Sequence, residues 1–364
     1  MDIPKEVREL LKQEAEKTEV VVMPDFFLDR LVNVKFNVDK FSENLKPIAE
    51  RKGGSIDGIE QADIRGGNAV NTASALAALK VKVTPIICTS KLGLKMLELY
   101  FGSGKLDLSH VKISGRASVT TAIEFETAEG KANVMLRDVG SLIHFGPDDL
   151  DDRDFEAIQR ADYVCVFNWA GTKRFGAALA TKVFEESKKG GRGRNYYDTA
   201  DPSPNIKKAA ELVRKVLQSR NLDILSVNEN EAFQYAQFFC TKKEASSKDA
   251  TPEQVAKQSA KTLAQHLSAR IDLHTTSFSA TYTKKDEKVV HSFKVPVLRA
   301  TGAGDAWNAG NILGDANKLP DDCRLMLANA VAAYYISNPA AQHPTRKQLL
   351  KFLTKMQRKD VRKK

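Results

Sequence analysis

This sequence lacks the cysteine and histidine spacings that build most protein metal and redox centres. Its 364 residues include four cysteines and six histidines, with no CxxC, HxH or HExxH pattern among them, which argues against a zinc site or a thioredoxin-like centre. No apolar run reaches the roughly 20 residues that a membrane span requires. The charged N-terminal stretch lacks the apolar core of a signal peptide. We therefore expect a cytoplasmic protein that does not enter a membrane.

The sequence has little excess charge outside its C-terminal segment. It contains 56 Lys and Arg residues against 46 Asp and Glu residues, which gives a formal net charge of +10. Nine basic residues and one acidic residue lie in the segment 346–364, so the remainder is nearly neutral and a broad nucleic-acid groove is not expected. Leu349, Leu350, Leu353 and Met356 follow a helical spacing there, which predicts an amphipathic closing helix with a solvated basic end.

A contact with nucleic acid or with another protein is the alternative role for this basic segment. Nucleic-acid affinity would then fall steeply as the salt concentration rises. Deletion of the residues after Pro344 would remove such binding and leave any enzymatic activity unchanged.

Apolar runs alternate with helical patterns along most of the chain, after a polar leading helix over residues 3–17. The predicted strands are Glu19–Phe27, Val81–Cys88, Tyr163–Phe167, Asn195–Asp198 and Ile224–Val227, and the predicted helices are Asn71–Lys80, Lys173–Lys188 and Ile206–Ser219. This alternation predicts an α/β fold, a doubly wound parallel sheet flanked by helices. Ligands of such sheets bind at the carboxyl ends of the strands.

Three segments do not follow this alternation. Residues 30–64 have irregular apolar spacing and a Gly-Gly pair, which predicts short strands and turns instead of a core helix. Ser118–Phe125 and Lys131–Arg137 predict a hairpin. The polar stretch Thr241–Pro252 predicts a surface loop.

The strongest chemical signal is the segment Arg299–Gly310, RATGAGDAWNAG. A predicted strand, His291–Leu298, leads into a glycine turn at 301–304 and then into a helix of small and apolar residues. Successive N–H groups of such a turn can bind an anion, and the helix dipole adds to that field. Asp305 follows in the first helical turn, where it can take a proton from an attacking hydroxyl. A tight turn in which Asp305 only caps the helix is the alternative interpretation.

Two further motifs carry polar groups at helix starts. In ADIRGGNAVNTA, Gly66 and Gly67 precede Asn68 and Asn71, whose spacing of three places both amides on one helix face. Amides donate and accept, which suits a polyhydroxyl ligand, although a glycine turn with an Asn cap is the alternative.

The third motif directly follows the predicted strand Ile224–Val227. In the NxxE step, Asn228 and Glu231 share a face, where an oxygen ligand can hold the waters of Mg²⁺ near phosphates. A capping box formed by the same two residues is the alternative. Asp198 and Asp201 follow another strand and suit contact with substrate or Mg²⁺, but Asp201-Pro202 favours a turn.

These motifs, in this order, resemble the ribokinase/PfkB carbohydrate kinase family. RGGNAVNTASALAAL is similar to the family's N-terminal glycine signature, and ATGAGDAWNAGNILG is similar to its C-terminal signature. MPDFFLD is similar to the first strand and its acidic substrate residue, which corresponds to Asp29. The resemblance extends from about Glu19 to about Asn338.

The resemblance implies a ribokinase-like kinase domain over residues 19–340, between an N-terminal helix, 1–18, and a basic C-terminal helix or tail, 341–364. A small β-sheet lid would come from about 31–63 and 113–137. Asp305 would be the general base and Gly302, Ala303 and Gly304 the anion hole. Asp29, Gly66, Gly67, Asn68 and Asn71 would bind the substrate, Asn228, Thr276, Ser279, Thr301 and Asn329 the nucleotide, and Glu231 the Mg²⁺ ion.

Two positions depart from the family pattern. Arg299 stands where the signature usually has an aspartate that helps to hold a monovalent cation. A guanidinium cannot hold a cation, so we expect no cation activation, with Arg299 itself as a source of positive charge. The family's TxGxxG nucleotide loop corresponds to His274–Ser279, with Thr276 and Ser279 in place of both glycines. The donor therefore stays open between ATP, which we favour, and ADP.

The implied function is a Mg²⁺-dependent transfer of a phosphoryl group to an alcohol group of a sugar. A nucleoside kinase on the same fold is the first alternative, with Phe26, Phe27, Phe36 and Trp169 as aromatic residues near the expected pocket. A catalytically weak ligand-binding protein is the second alternative, which the altered nucleotide loop favours. The resemblance also makes a homodimer formed through the lids an open expectation.

Overall fold

The computed structural model describes residues 3–14, 17–102, 106–128, 130–239, 250–299 and 301–361. Its strands are β1 Glu19–Met23, β2 Phe27–Val34, β3 Glu60–Gly66, β4 Lys82–Pro85, β5 Cys88–Thr89, β6 Lys112–Ile113, β7 Ser118–Thr127, β8 Gly130–Asp138, β9 Tyr163–Phe167, β10 Arg194–Asp198, β11 Ile224–Val227, β12 Arg270–His274, β13 Phe278–Tyr282 and β14 Glu287–His291. Its α-helices are α1 Lys5–Lys12, α2 Val38–Glu50, α3 Asn68–Ala78, α4 Lys91–Phe101, α5 Asp152–Arg160, α6 Gly176–Lys189, α7 Ala209–Leu212, α8 Glu229–Ala236, α9 Pro252–His266, α10 Ala303–Ala316, α11 Asp321–Ile336 and α12 Arg346–Val361.

The central sheet has eight strands in the order β14-β13-β12-β11-β10-β9-β1-β4. Six neighbouring strands of this sheet are parallel: β4, β1, β9, β10, β11 and β12. The strands β13 and β14 extend the sheet as an antiparallel edge. The predicted α/β fold with a parallel sheet and flanking helices is confirmed. The antiparallel edge was not predicted from the sequence.

Both faces of the central sheet are covered, which explains why its strands are continuously apolar. In β1, Val21 and Met23 pack into one core cluster, and Val20 and Val22 pack into a second one. Every residue of β9 is buried. The side chains of each strand therefore alternate between two hydrophobic cores, one on each side of the sheet.

A separate four-stranded sheet, here called the lid, has the order β3-β2-β7-β8. β2 pairs parallel with β7 and antiparallel with β3, and β7 and β8 form the predicted hairpin. The chain passes from β1 through residues 24–26 directly into β2, so the predicted single strand Glu19–Phe27 is divided between two sheets. The lid thus follows the carboxyl end of β1, the edge where α/β sheets bind ligands.

Two sequence predictions of secondary structure are wrong. Residues 30–64 contain, besides parts of the strands β2 and β3, helix α2, which has no fully buried residue among those described; Asn37 caps it by accepting from Lys40 N at 2.9 Å. Val38, Phe41, Leu45 and Ile48 follow a helical spacing there, a signal that was missed. The strand predicted for His291–Leu298 is not formed, because β14 ends at His291. Pro296 has no N–H for a sheet ladder, and Leu298 N donates instead to the carbonyl oxygen of Ile336 at 2.9 Å.

The predicted polar loop Thr241–Pro252 lies largely outside the described residues. Its last two residues begin helix α9, where Thr251 accepts from Gln254 N at 3.3 Å and Pro252 is the first helical residue. The loop prediction is therefore wrong at its C-terminal end. Within the described ranges, no helix combines the length and the apolar character needed to cross a bilayer.

Helix α12 packs against the N-terminal helix. Leu349 and Leu353 are buried in the same core cluster as residues of α1, and Arg346 donates to the carbonyl oxygens of Leu79 at 2.7 Å and Leu10 at 2.9 Å. The predicted amphipathic helix is present, but its apolar face belongs to the core. The deletion expected above to be harmless would therefore expose core residues. The domain boundaries at 18 and 340 stay a prediction.

Candidate active site

Helix α10 begins at a tight glycine turn. Gly302 precedes the helix with a φ of +83°, a left-handed conformation that favours glycine. A Cβ atom there would lie 2.8 Å from the Tyr335 hydroxyl oxygen. Within the described residues no side chain caps this helix, so the first N–H groups, including those of Ala303 and Gly304, can bind an anion.

Asp305 lies in the first turn of α10, between the two asparagines of the glycine-pair motif. Asn68 Nδ2 donates to Asp305 Oδ1 at 2.9 Å, and Asn71 Nδ2 donates to Oδ2 at 3.0 Å. Burial, followed by the negative charge of Asp198, raises the pKa of Asp305 well above its ordinary value, although both amides oppose the shift. Asn68 and Asn71 do share one face, as predicted, but their amides orient a basic carboxylate.

A second buried carboxylate, Asp25, holds the start of α3. Its Oδ2 accepts from Asn68 N and from Asn168 Nδ2, and its Oδ1 accepts from Ala69 N, each at 2.9 Å. Gly67 adopts a φ of +91°, and a Cβ atom there would lie 2.9 Å from the Asp25 carbonyl oxygen. Asp25 therefore positions the helix whose asparagines hold Asp305.

Asp29 lies on lid strand β2. Its Oδ1 is buried and finds no hydrogen-bond partner among the described residues. Burial raises the pKa of Asp29 to about 6, although a hydrogen bond from Thr120 opposes the shift. A Cβ atom at Gly66 would lie 2.0 Å from Asp29 Oδ2, so the carboxylate occupies space that only glycine leaves open. The orphaned oxygen can accept a hydrogen bond from a ligand hydroxyl. The substrate-binding roles of Asp29 and Gly66 stay predictions.

Asp198 is the last residue of β10, and it is buried where its charge acts on Asp305. Its Oδ2 accepts from Asn308 Nδ2 at 2.7 Å, and its Oδ1 accepts from Ala200 N at 3.1 Å. Asp201, in contrast, is exposed and accepts from Ser203 N at 3.0 Å, which is the turn that the sequence favoured.

Asn228 and Glu231 form a reciprocal cap at the start of α8. Glu231 N donates to Asn228 Oδ1 at 2.9 Å, and Asn228 N donates to Glu231 Oε2 at 3.0 Å. Burial and the charge of Asp198 raise the pKa of Glu231 well above its ordinary value. The capping alternative is therefore present in the structure, and the capping carboxylate is also a buried acid beside another one.

The Mg²⁺ ion that the resemblance implies would have to share these acids with a nucleotide. Within the described residues, no group of three or more His, Cys, Asp or Glu side chains is placed to hold a metal ion. Asp198 and Glu231 nevertheless are two buried carboxyl groups that act on each other electrostatically, and a hydrated cation would favour their charged forms. Mg²⁺ commonly keeps several waters and binds one or two carboxylates together with phosphates. These residues therefore fit an ion that arrives with a nucleotide.

Two cavities meet at the α10 turn. The lid cavity has a volume of about 560 Å³, and its lining includes Asp29, Gly67, Asn68, Asn71, Thr301, Gly302 and Asp305. The second, here called the Trp307 cavity, has a volume of about 360 Å³, and its lining includes Asn228, Thr276, Ala303, Gly304, Trp307 and Asn329. One turn, 301–305, borders both cavities, so two ligands can meet at the N-terminus of α10.

The residues predicted to bind a nucleotide are placed unequally around the Trp307 cavity. Thr276 is exposed at its mouth, and its N–H donates to Glu229 Oε1 at 3.1 Å. Ser279 is buried in β13, its hydroxyl has no partner within the described ranges, and it is not among the residues that line the cavity. Asn329 Oδ1 accepts from the Trp307 indole N–H at 2.9 Å, so this amide fixes the cavity wall.

Arg299 binds the end of α11. Its guanidinium donates to the carbonyl oxygens of Tyr335, Asn338 and Pro339, the last at 3.0 Å. It also lies 5.9 Å from the centre of the Tyr335 ring. The positive charge predicted at this position is therefore engaged by backbone carbonyls, two residues before Thr301.

Several residues of the site were not found from the sequence. Asp25 was taken as part of an apolar strand, although an acid inside such a run must be buried and partnered, which is a usable signal. Asn168 and Tyr335 line the lid cavity without any motif, and Arg65 lines it from within the glycine-pair motif, where no role was assigned to it. Of the aromatic candidates only Phe27 lines that cavity; Phe26 and Trp169 are core residues, and Phe36 packs on Phe41.

Comparison with known proteins gives one family match and several structural neighbours. The sequence profile of the pfkB family of carbohydrate kinases matches residues 38–348. The chain has 19% identity to a ribokinase from Arabidopsis thaliana solved with ribose and ATP, with a TM-score of 0.68 over 92% of this chain and 98% of that chain.

Two further neighbours have similar scores. A ribokinase from Cryptococcus neoformans var. grubii serotype A, solved with ADP, has 15% identity and a TM-score of 0.70 over 93% of this chain and 99% of that one. A nucleoside kinase from Methanocaldococcus jannaschii has 16% identity and a TM-score of 0.66 over 94% and 99%. No curated protein sequence matches the chain significantly.

Proposed function

This chain belongs to the pfkB family of carbohydrate kinases, and we propose that it transfers a phosphoryl group from ATP to an alcohol group of a sugar in the lid cavity. The turn 301–305 carries this proposal, because it borders two cavities and brings a helix N-terminus and the carboxylate of Asp305 to their junction. One cavity then holds the acceptor and the other the nucleotide.

The chemical step divides between the backbone and one side chain. The acceptor hydroxyl oxygen attacks the terminal phosphorus of the nucleotide, an O–P bond forms, and the bond to the departing nucleoside diphosphate breaks. Asp305 takes the hydroxyl proton, and the N–H groups of Ala303 and Gly304 face the charge on the transferred group. A positioned general base contributes on the order of 10²–10⁴ in rate. Mg²⁺ brought by the nucleotide would neutralise phosphate charge, with Asp198 and Glu231 as the residues that hold its waters.

Asp29 is the proposed anchor for the acceptor. Asp29 lines the lid cavity, and its Oδ1, which has no hydrogen-bond partner among the described residues, can accept from a sugar hydroxyl. Asn68 and Asn71 then act twice, because they line the same cavity and hold the base. Gly66 and Gly67 contribute through the space that they leave for Asp29 and for the Asp25 backbone.

A nucleoside acceptor is the second candidate. Phe27, Leu31 and Met135 line the lid cavity, and Leu31 and Met135 are 36% and 49% exposed. Apolar side chains at this position can pack against a nucleobase. A sugar remains the first choice because the polar groups converge at Asp305 and Asp29.

The decisive experiment is a product-detected screen of sugars and nucleosides against ATP and ADP, each with and without Mg²⁺. We expect phosphorylated product from at least one sugar with ATP and Mg²⁺. Thermal stabilisation by nucleotide plus Mg²⁺ provides an independent readout, since a ligand that binds only the folded state raises the melting temperature. Absence of any product, together with absence of nucleotide stabilisation, would overturn the proposal.

A further inference from the structure

The lid cavity contains a guanidinium that has no anionic partner among the described residues. Arg65 ends lid strand β3 beside Gly66 and lines the cavity. Its Nε is buried and has no hydrogen-bond partner in the part of the chain that the structure describes. Its Nη2 lies 3.3 Å from His343 Nδ1, and within the described residues it forms no ion pair with a carboxylate.

The surroundings of Arg65 do not neutralise its charge. Burial and the charge of Arg65 lower the pKa of His343 to about 3, so this imidazole is neutral at physiological pH. Its Nδ1 must therefore act as the acceptor of the Arg65 N–H. The His343 ring stacks on the Tyr335 ring, with the ring centres 4.6 Å apart. On the side of His343, the guanidinium of Arg65 therefore faces a pair of stacked aromatic rings.

The two other arginines of the cavity are already engaged. Arg299 donates to three backbone carbonyls. Arg137 lies 5.2 Å from the centre of the Phe27 ring and lowers the pKa of Asp29, which is its nearby opposite charge. Arg65 is thus the arginine of this cavity whose positive charge lacks a balancing group among the described residues.

Burial of an unpaired charge is unfavourable, so a protein gains from an unpaired guanidinium only when a ligand supplies the anion. Guanidinium groups bind carboxylates and phosphates through two parallel hydrogen bonds. Both Arg65 and Asp305 line the lid cavity, so one acceptor can touch both. We propose that the acceptor of this enzyme is an anionic sugar, a sugar phosphate or a sugar acid, whose anionic group binds Arg65.

This inference rests on the proposed function and adds the acceptor class to it. The anionic group does not react: the hydroxyl at Asp305 forms the new O–P bond, and the charge at Arg65 orients the molecule. The competing assignment is that Arg65 contacts the transferred phosphoryl group. In that case every acceptor, neutral or anionic, would depend on it equally.

The test compares acceptors that share a carbon skeleton and differ in charge: ribose with ribose 5-phosphate, fructose with fructose 6-phosphate, and glucose with gluconate. The full chain is assayed with ATP and Mg²⁺ as wild type and as Arg65→Met. For at least one pair we expect the wild type to have a kcat/KM at least tenfold higher for the anionic member. The ribose and fructose pairs test a phosphate as the anionic group, and the glucose and gluconate pair tests a carboxylate.

In Arg65→Met we expect the preferred anionic acceptor to lose about 10–100-fold in kcat/KM, mostly through KM, as for loss of a charged hydrogen bond. The neutral partner should change less than threefold. Arg65→Lys keeps the positive charge but not the planar guanidinium group. Its kcat/KM for the anionic acceptor should lie between the values of the wild type and of Arg65→Met. Arg30→Met is the matched control, because Arg30 lies on the same lid in an exposed ion pair with Asp63.

A preference of the wild type for the neutral member of every pair would overturn the proposal. So would an equal loss for neutral and anionic acceptors in Arg65→Met, which would assign Arg65 to the transferred phosphoryl group. Equilibrium binding of each acceptor, without turnover, separates this proposal from the proposed function. Anionic binding that Arg65→Met abolishes supports Arg65 even if no transfer occurs, and absence of anionic binding by the wild type refutes it.

Discussion

At the scale of single residues, Asp305 combines the features that a general base needs. It is 5% exposed, two amides fix its oxygens, and its pKa is raised by burial and by Asp198. We predict that Asp305→Asn lowers kcat by about 10²–10⁴. Nucleotide affinity should change little, because the N–H groups of the α10 turn remain. Steady-state kinetics and nucleotide titration of the same variant measure both quantities.

The control for this variant is Asp57→Asn. Asp57 is an exposed acid in the loop before β3, so this change should alter neither kcat nor nucleotide affinity. Full turnover by Asp305→Asn would contradict the assignment of the base. It would leave Asp305 as a helix-capping residue, the alternative that its position first allowed.

Asp29 makes a prediction about pH. Its pKa of about 6 exceeds the ordinary value of 3.8, so the folded protein binds this proton more tightly than the unfolded chain does. The contribution of Asp29 to stability therefore falls as the pH rises from about 4 to about 6, and it stays low above that range. We predict that Asp29→Asn is more stable than wild type at pH 7.5, by up to about 3 kcal/mol, and equally stable near pH 4.

Denaturant unfolding at both pH values tests this prediction. Asp29→Asn should also raise the KM for the acceptor at pH 7.5, because it replaces the charged hydrogen-bond acceptor in the lid cavity. A variant that is less stable than wild type at pH 7.5 would show that burial of the charged Asp29 carboxylate does not destabilise the folded protein. Gain of stability together with loss of acceptor affinity is the expected signature of a binding residue.

The residues of the site differ in how far the sequence could identify them. Asp305, Asn68 and Asn71 were found because their spacing beside glycines follows from local backbone geometry. Their mutual hydrogen bonds were not found, since they join residues more than 230 positions apart. Arg65 was quoted within the glycine-pair motif but given no role, because its significance depends on the absence of an anionic partner among the described residues around the cavity.

At the scale of elements, burial decided which parts of the fold the sequence could predict. β9 and β11 were predicted at their observed bounds, since every residue in them is buried and apolar runs are unambiguous there. Helix α2 was missed although Val38, Phe41, Leu45 and Ile48 follow a helical spacing, because none of its described residues is fully buried and the Gly-Gly pair that follows it favours a turn. The edge strand β14 was predicted too far along the chain, at 291–298, because its mostly exposed residues carry no apolar alternation.

Arg299, which is hydrogen-bonded to the end of α11, leads to a prediction about ions. Its guanidinium places a fixed positive charge among backbone carbonyls just before the α10 turn. We predict that the initial rate is the same in sodium, potassium and tetramethylammonium chloride at equal ionic strength. Arg299→Met should lose about 2–4 kcal/mol of stability, because it leaves these carbonyls without a charged donor, and it should lower kcat.

Arg299→Lys serves as the conservative variant, since it keeps the charge but reaches fewer carbonyls. It should retain part of both the stability and kcat. Stimulation of the wild type by potassium would contradict this prediction. Stimulation of Arg299→Met alone would support it, because the free carbonyls would then accept an ion.

At the scale of the whole molecule, the C-terminal helix divides into a core part and a basic part. Leu349 and Leu353 are 0% and 2% exposed, and burial of each contributes roughly 1.5–3 kcal/mol. Arg346 adds hydrogen bonds to two carbonyl oxygens on other elements. A chain that ends at Thr345 loses all of these contacts, whereas a chain that ends at Gln357 keeps them.

We therefore predict opposite results for the two truncations. The chain ending at Thr345 should unfold at a much lower temperature or fail to fold, because helix α1 and its neighbours lose their cover. The chain ending at Gln357 lacks five basic residues and one acidic residue. It should nevertheless keep the wild-type melting temperature and activity, because the core contacts of Arg346, Leu349 and Leu353 remain. Calorimetry of both chains measures the difference, and an unchanged melting temperature for the shorter one would show that α12 is not part of the core.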